Sequence, residues 1–128
     1  MDDFVKEWFK KADNDILNSK NNLASDEIPL DTVCYHSEQA AEKYLKGYLV
    51  FKEGSYPRIH NLLRLLELCK KYDEDFELIR TYCLVLNDYG VEIRYPDYWS
   101  EPTLEDAKEA HEFAKLVKLF VLSKVQDQ

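Results

Sequence analysis

The stretch from Cys34 to Leu49 carries two side-chain patterns at once. A helix repeats about every 3.6 residues, so positions three, four and seven apart share a face. On that spacing Cys34, Ala41, Tyr44, Leu45, Tyr48 and Leu49 make one apolar stripe, and His36, Gln39, Lys43 and Lys46 make a second, polar one. A helix that only packs into a core needs the first stripe. The second gathers an imidazole, a carboxamide and two ammonium groups on one ridge. Such a ridge is a solvated face, a place where an anion docks, or a surface covered by another protomer. Ordinary pairing of Glu42 with Lys46, one turn apart, fits the first of these.

The same period runs through most of the chain. Phe4, Val5, Trp8, Phe9, Ala12, Ile16, Leu17 and Leu23 predict a first helix over about 3–24. Asp31 is the expected N-cap of the second helix, which runs to about Lys52 and stops at Gly54. Tyr56 to His60 reads as a turn into a third, leucine-rich helix ending near Lys71, with Asn61 or His60 as its cap. Asp73 is placed to cap a fourth helix holding Phe76, Ile79, Tyr82, Cys83, Leu86 and Tyr89, closed by Gly90. A polar and aromatic loop follows, to about Pro102. Thr103, with Asp106 three residues on, opens a fifth helix through a capping box. No run alternates with period two. The fold class is therefore all-α: about five helices, the long ones packed as an antiparallel bundle.

A chain of 128 residues with 45% apolar content suits one domain, spanning 1–128, with a real hydrophobic core. The net charge of −8 argues against a broad, sequence-blind grip on nucleic acid, but leaves room for a small local basic site. Cys34, Cys69 and Cys83 are odd in number, lack metal spacing and sit among apolar neighbours. They read as buried thiols in a reducing compartment, so a cytoplasmic location is expected. Neither a signal peptide nor a membrane span is predicted.

Two more groupings carry candidate chemistry. In Arg94-Tyr95-Pro96-Asp97-Tyr98-Trp99, the proline extends Tyr95. Arg94 then pairs with Asp97 to anchor the loop, or with a ligand's phosphate, while Tyr95 and Trp99 pack on the bundle or stack on a base. His60 and Asn61 stand at the start of the third helix, where an anion is favoured and where a simple cap is equally expected. His111 falls on the polar side of the last helix and is expected to be solvated. Glycine-rich phosphate loops, hydrolase elbows, zinc-protease motifs and metal-spaced clusters are missing from the sequence, so no metal and no cofactor are expected.

The run Tyr35-His36-Ser37-Glu38-Gln39-Ala40-Ala41-Glu42-Lys43-Tyr44-Leu45-Lys46 resembles the His-x-Gln-Gln-Ala-Ala-Glu-Lys-x-Leu-Lys-Ala helix of HEPN domains, the higher eukaryotes and prokaryotes nucleotide-binding family. Trp8 and Ala12, His60-Asn61-Leu62, and Arg94-Tyr95-Pro96-Asp97 match the family in the expected order. The resemblance implies a five-helix up-and-down bundle, commonly a homodimer, and often a minimal nucleotidyltransferase encoded beside it in a toxin–antitoxin-like pair. Some members are ribonucleases with an Arg-x(4–6)-His motif facing its copy across the dimer. No histidine follows any arginine at that spacing here: Arg58 and His60 are two apart, and Arg94 and His111 are 17 apart. A metal-independent ribonuclease needs a base and a cation, and His36 or His60 with Arg94 would have to supply both. The resemblance therefore favours binding of a nucleotide, an RNA or a partner over catalysis. Gln39, Lys43, Lys46, His60, Arg94 and Asp97 are the expected ligand contacts, with Tyr95 or Trp99 stacking on a base.

Overall fold

The computed structural model describes residues 1–90 and 100–126. Its α-helices are α1 (Asp3–Leu23), α2 (Leu30–Glu53), α3 (Leu62–Lys70), α4 (Arg80–Asn87) and α5 (Leu104–Lys124), with a 3-10 helix (Glu74–Ile79) leading into α4. The described residues form helices and no strand, the all-α class that the periodicity predicts. Among the described residues no helix is long and apolar enough to cross a membrane.

Several helix ends follow from local chemistry. Asn61 accepts from the backbone N–H groups of Leu63 (2.9 Å) and Arg64 (3.1 Å), and so caps α3. Thr103 and Asp106 exchange side chain-to-backbone bonds of 3.0 and 2.9 Å, the expected capping box of α5. Gly54 closes α2 at φ 78°, a left-handed value suited to glycine.

Two ends differ from expectation. Helix α2 opens one residue before Asp31. Pro29 stands at the cap with ψ 90° and no side-chain bond, and its extended backbone together with the N–H that proline lacks sets the boundary. The helix expected from Asp73 is split. Asp73 caps the 3-10 helix through Asp75 N, and α4 starts only at Arg80. Phe76 and Ile79, three apart, are both buried, and the three-residue repeat of a 3-10 helix aligns such a pair better than an α-helix does.

Helix α2 is the centre, packing on α1, α3, α4 and α5. It runs antiparallel to α1: Phe9 lies on Tyr44, at 6.0 Å between ring centroids, while Asp15 reaches back to His36. The segment after Gly54 then doubles back along α2. Tyr56 lies 4.6 Å from the Trp8 ring and His60 meets Glu42, so α3 begins beside the middle of α2. The core carries Tyr44, Leu45, Tyr48 and Leu49 of α2, and an aromatic ladder from Tyr48 through Phe76 (4.4 Å) to Phe120 (4.9 Å). All three cysteines are buried free thiols, and burial pushes Cys34 and Cys83 up to about 12.

Candidate functional site

The polar ridge of α2 folds against α1. Asp15 sits three residues after Ala12 and four before Ser19, all three buried. A carboxylate on that stripe has to be paired. It accepts from His36 Nδ1–H at 2.8 Å and from Lys43 Nζ at 2.5 Å. His36 and Lys43 are two helical turns apart, so one carboxylate clamps both ends of the ridge. A quarter of each of the two side chains remains exposed. Beside this cluster, the Tyr44 hydroxyl donates to Asp13, whose Oδ1 also lies 2.9 Å from Lys118 Nζ of α5.

The ridge continues with a second carboxylate. Lys46 Nζ (3.1 Å) and His60 Nδ1 (3.3 Å) converge on Oε2 of Glu42, while its Oε1 has no partner. Lys46 is only 4% exposed. A buried ion pair of this kind resists loss of either member, because the remaining charge would be stranded. Lys46 is therefore committed to the fold, whereas His60 stands mostly in solvent.

One turn before Glu42 on the same helix lies Glu38, 1% exposed. Gln39 Nε2 donates to its Oε1 at 2.7 Å. Burial, and then the neighbouring Glu42, raise its carboxyl group to about 8. It sits directly beneath Gly90, where an added Cβ would come within 2.8 Å of Oε2. The HEPN helix pattern has glutamine at this position.

Of the residues expected to meet a ligand, the fold brings together Lys43 with His36, and Lys46 with His60, around two separate carboxylates. Gln39 is engaged with Glu38. Arg94, Tyr95, Asp97 and Trp99 lie outside the described residues. His111 corrects its expectation. It is buried, and its Nδ1 lies 2.6 Å from the Ser19 hydroxyl of α1. Ser19 donates to the Ile16 carbonyl at 2.9 Å, so it accepts from His111 Nδ1–H. Its partner is 92 residues away, and the local sequence hides the pairing. Asp15 is the site residue that sequence reasoning missed, although a carboxylate on an apolar stripe is a readable signal. Among the described residues no group of three His, Cys, Asp or Glu side chains is placed to hold a metal.

Fold and ridge together define a small helical bundle with a paired polar seam along its central helix. The HEPN domain family matches residues 5–124. The crystal structure of an archaeal HEPN homologue superposes with TM-score 0.75 at 26% identity, covering 95% of this chain and 98% of that one. The crystal structure of a protein from Thermus thermophilus superposes with TM-score 0.75 at 27% identity, covering 94% and 97%. No curated protein matches the chain. The chain belongs to the HEPN family, whose domain is a nucleotide-binding and ribonuclease-type module.

Proposed function

We propose that this HEPN chain is a nucleotide- or partner-binding module that works with a minimal nucleotidyltransferase in a toxin–antitoxin-like pair. The observation supporting it is the Asp15–His36–Lys43 cluster. A lysine ammonium has three donors and Asp15 takes one of them, so two remain for a phosphate oxygen. Because the carboxylate already fixes the lysine, less side-chain entropy is lost on binding. In this reading Lys43 and Gln39 meet the ligand from α2, His60 flanks it, Arg94 takes a phosphate, and Tyr95 or Trp99 stacks on the base. Asp97 orients Arg94. Lys46 contributes its field through Glu42 rather than a direct contact. The module acts as a homodimer in the cytoplasm, where its three buried thiols stay reduced.

Calorimetry with ATP, GTP and short oligonucleotides tests the binding. Heat is expected with the wild type, and Lys43→Ala and Arg94→Ala should each weaken binding about tenfold, the usual size of a lost charge-assisted contact. No heat with any ligand sinks the reading. Co-expression with a nucleotidyltransferase encoded beside this gene should give a co-purifying complex. Light scattering should report twice the 15.2 kDa chain mass.

One observation favours a second reading. Asp15 accepts from His36 Nδ1–H, which leaves the lone pair on Nε2, the tautomer of a general base. A ribonuclease toxin with this non-standard site would degrade RNA when expressed alone, and His36→Ala would stop it. Intact RNA at high expression counts against that alternative.

A further inference from the structure

A groove of about 370 Å³ runs along α3 and shares no residue with the α2 ridge. Its floor is apolar: Ile59, Leu63 and Leu68, all half-buried. Arg64, Lys71 and Arg80 line it, against the single carboxylate of Glu67. Leu63, Arg64, Glu67 and Leu68 of α3, with Lys71 at its helical C-cap, fall within one face of that helix. On the neighbouring α4, Leu84 stands one turn beyond Arg80 and is 50% exposed.

The charges in the groove are not equivalent. Arg80 is spent on Glu67 and Glu77, its Nε lying 2.7 Å from Glu77 Oε2. Lys70, next to the groove, is also held by Glu77, at 2.7 Å. Arg64 and Lys71 make no ion pair among the described residues. Two such cations beside an apolar floor are conspicuous on a chain of net charge −8. They are seven residues apart, hence two helical turns, or about 10.5 Å.

A phosphate-bearing ligand fits this groove poorly. Among the described residues no aromatic ring lines it for stacking. The first donors of α3 are already taken, Leu63 and Arg64 N–H by Asn61 and Leu62 N–H by Asn87 at 2.8 Å. What the groove matches is a second helix lying along α3. Packed helices sit about 8–10 Å apart with their apolar ridges interdigitated, and amphipathic helices enter grooves through anchors spaced three, four and seven residues apart.

We propose that the α3–α4 groove receives an acidic amphipathic helix of a partner protein. Its apolar side chains cover Ile59, Leu63 and Leu68, and two carboxylates seven residues apart pair with Arg64 and Lys71. The charge pair sets register and orientation, and the floor supplies the buried area.

Selection of a displayed library of random 16-residue peptides on the full chain tests this, followed by fluorescence anisotropy of the enriched sequences. Enriched peptides should carry Leu, Ile, Phe or Met at steps of three and four, with Asp or Glu seven apart. Reversing both cations (Arg64→Glu with Lys71→Glu) should weaken such a peptide at least about tenfold, as expected for two lost charge pairs. A peptide with its two acids changed to Lys should then bind the reversed protein as the original bound the wild type, which also shows that the variant is folded. Enriched peptides without the acidic spacing, or an affinity unmoved by the double reversal, overturn the proposal. So does loss of the dimer in the double variant, which would put a second copy in the groove, or a parallel loss of oligonucleotide binding, which would make it a phosphate site. The α2 ridge is read separately, through Lys43 and Arg94.

Discussion

Glu38 and His111 are two buried titratable groups with opposite consequences for stability. Burial raises Glu38 to about 8 from an ordinary value of 4.5. Between those values the folded chain holds a proton that the unfolded chain has released, so stability falls as pH rises. The loss is complete above pH 8 and amounts to roughly 5 kcal/mol. Glu38→Gln keeps an acceptor for Gln39 and cannot ionise. In urea titrations at pH 6 and pH 8, below the range where the buried thiols matter, the wild type should lose stability at the higher pH and the variant should not. An equal loss in both would refute the assignment. His111 shifts the other way, lowered by burial and by Lys115 and Lys20, with Glu112 opposing. Its contribution is fully present above pH 6.5 and is lost as pH falls, because the unfolded chain takes up a proton that the folded chain refuses. Between pH 7 and pH 5 this opposes the gain from Glu38, so the two are separated in a Glu38→Gln background: there thermal stability should fall over that range, and adding His111→Gln should flatten the slope.

At the scale of elements, the α1–α2 seam depends on one missing side chain. Glycine inside a helix costs about 1 kcal/mol relative to alanine, so Gly47, buried in the middle of α2, has to be offset by packing. A Cβ there would meet Phe9 at 2.5 and 2.9 Å, so the Phe9 ring lies directly on bare backbone. Gly47→Ala should improve the propensity of α2 yet destabilise the fold by about 1–3 kcal/mol through overpacking. Phe9→Leu, itself destabilising, should recover part of that loss in the double variant. Purely additive denaturation midpoints would show that the two do not touch. Caps were legible in sequence, as Asn61 and the Thr103–Asp106 box show, because each signal lies within four residues. The split before α4 was not, because Phe76 and Ile79 suit both helix types and only the core decides between them.

Across the whole molecule, the apolar stripes showed the bundle and the central place of α2, since every residue assigned to its apolar stripe is buried. The polar contacts were harder to foresee. Asp15–His36 and Ser19–His111 depend on how helices cross, which spacing along one helix cannot give. His111 still left a trace. It lies four residues after Ala107 and three before Ala114, on the buried stripe of α5, although its charged neighbours suggest solvent. The candidate ridge was visible, but not its neutralisation, because the carboxylate that pairs with His36 and Lys43 comes from α1. That neutralisation bears on nucleic-acid binding. Lys43 and Lys46 are both paired, and the chain carries −8 overall, so the ridge itself offers no row of free cations to follow a long phosphate backbone. A 20-nucleotide poly(U) strand should bind no more tightly than a mononucleotide at 50 mM salt, and its affinity should change little as salt rises. A grip through many phosphates would instead give a steep inverse dependence on salt, about one unit of slope for each phosphate neutralised. Anisotropy of labelled poly(U) across 50–300 mM salt measures that slope, and a value steeper than about −3 would place the nucleic-acid contact on a basic surface other than the α2 ridge.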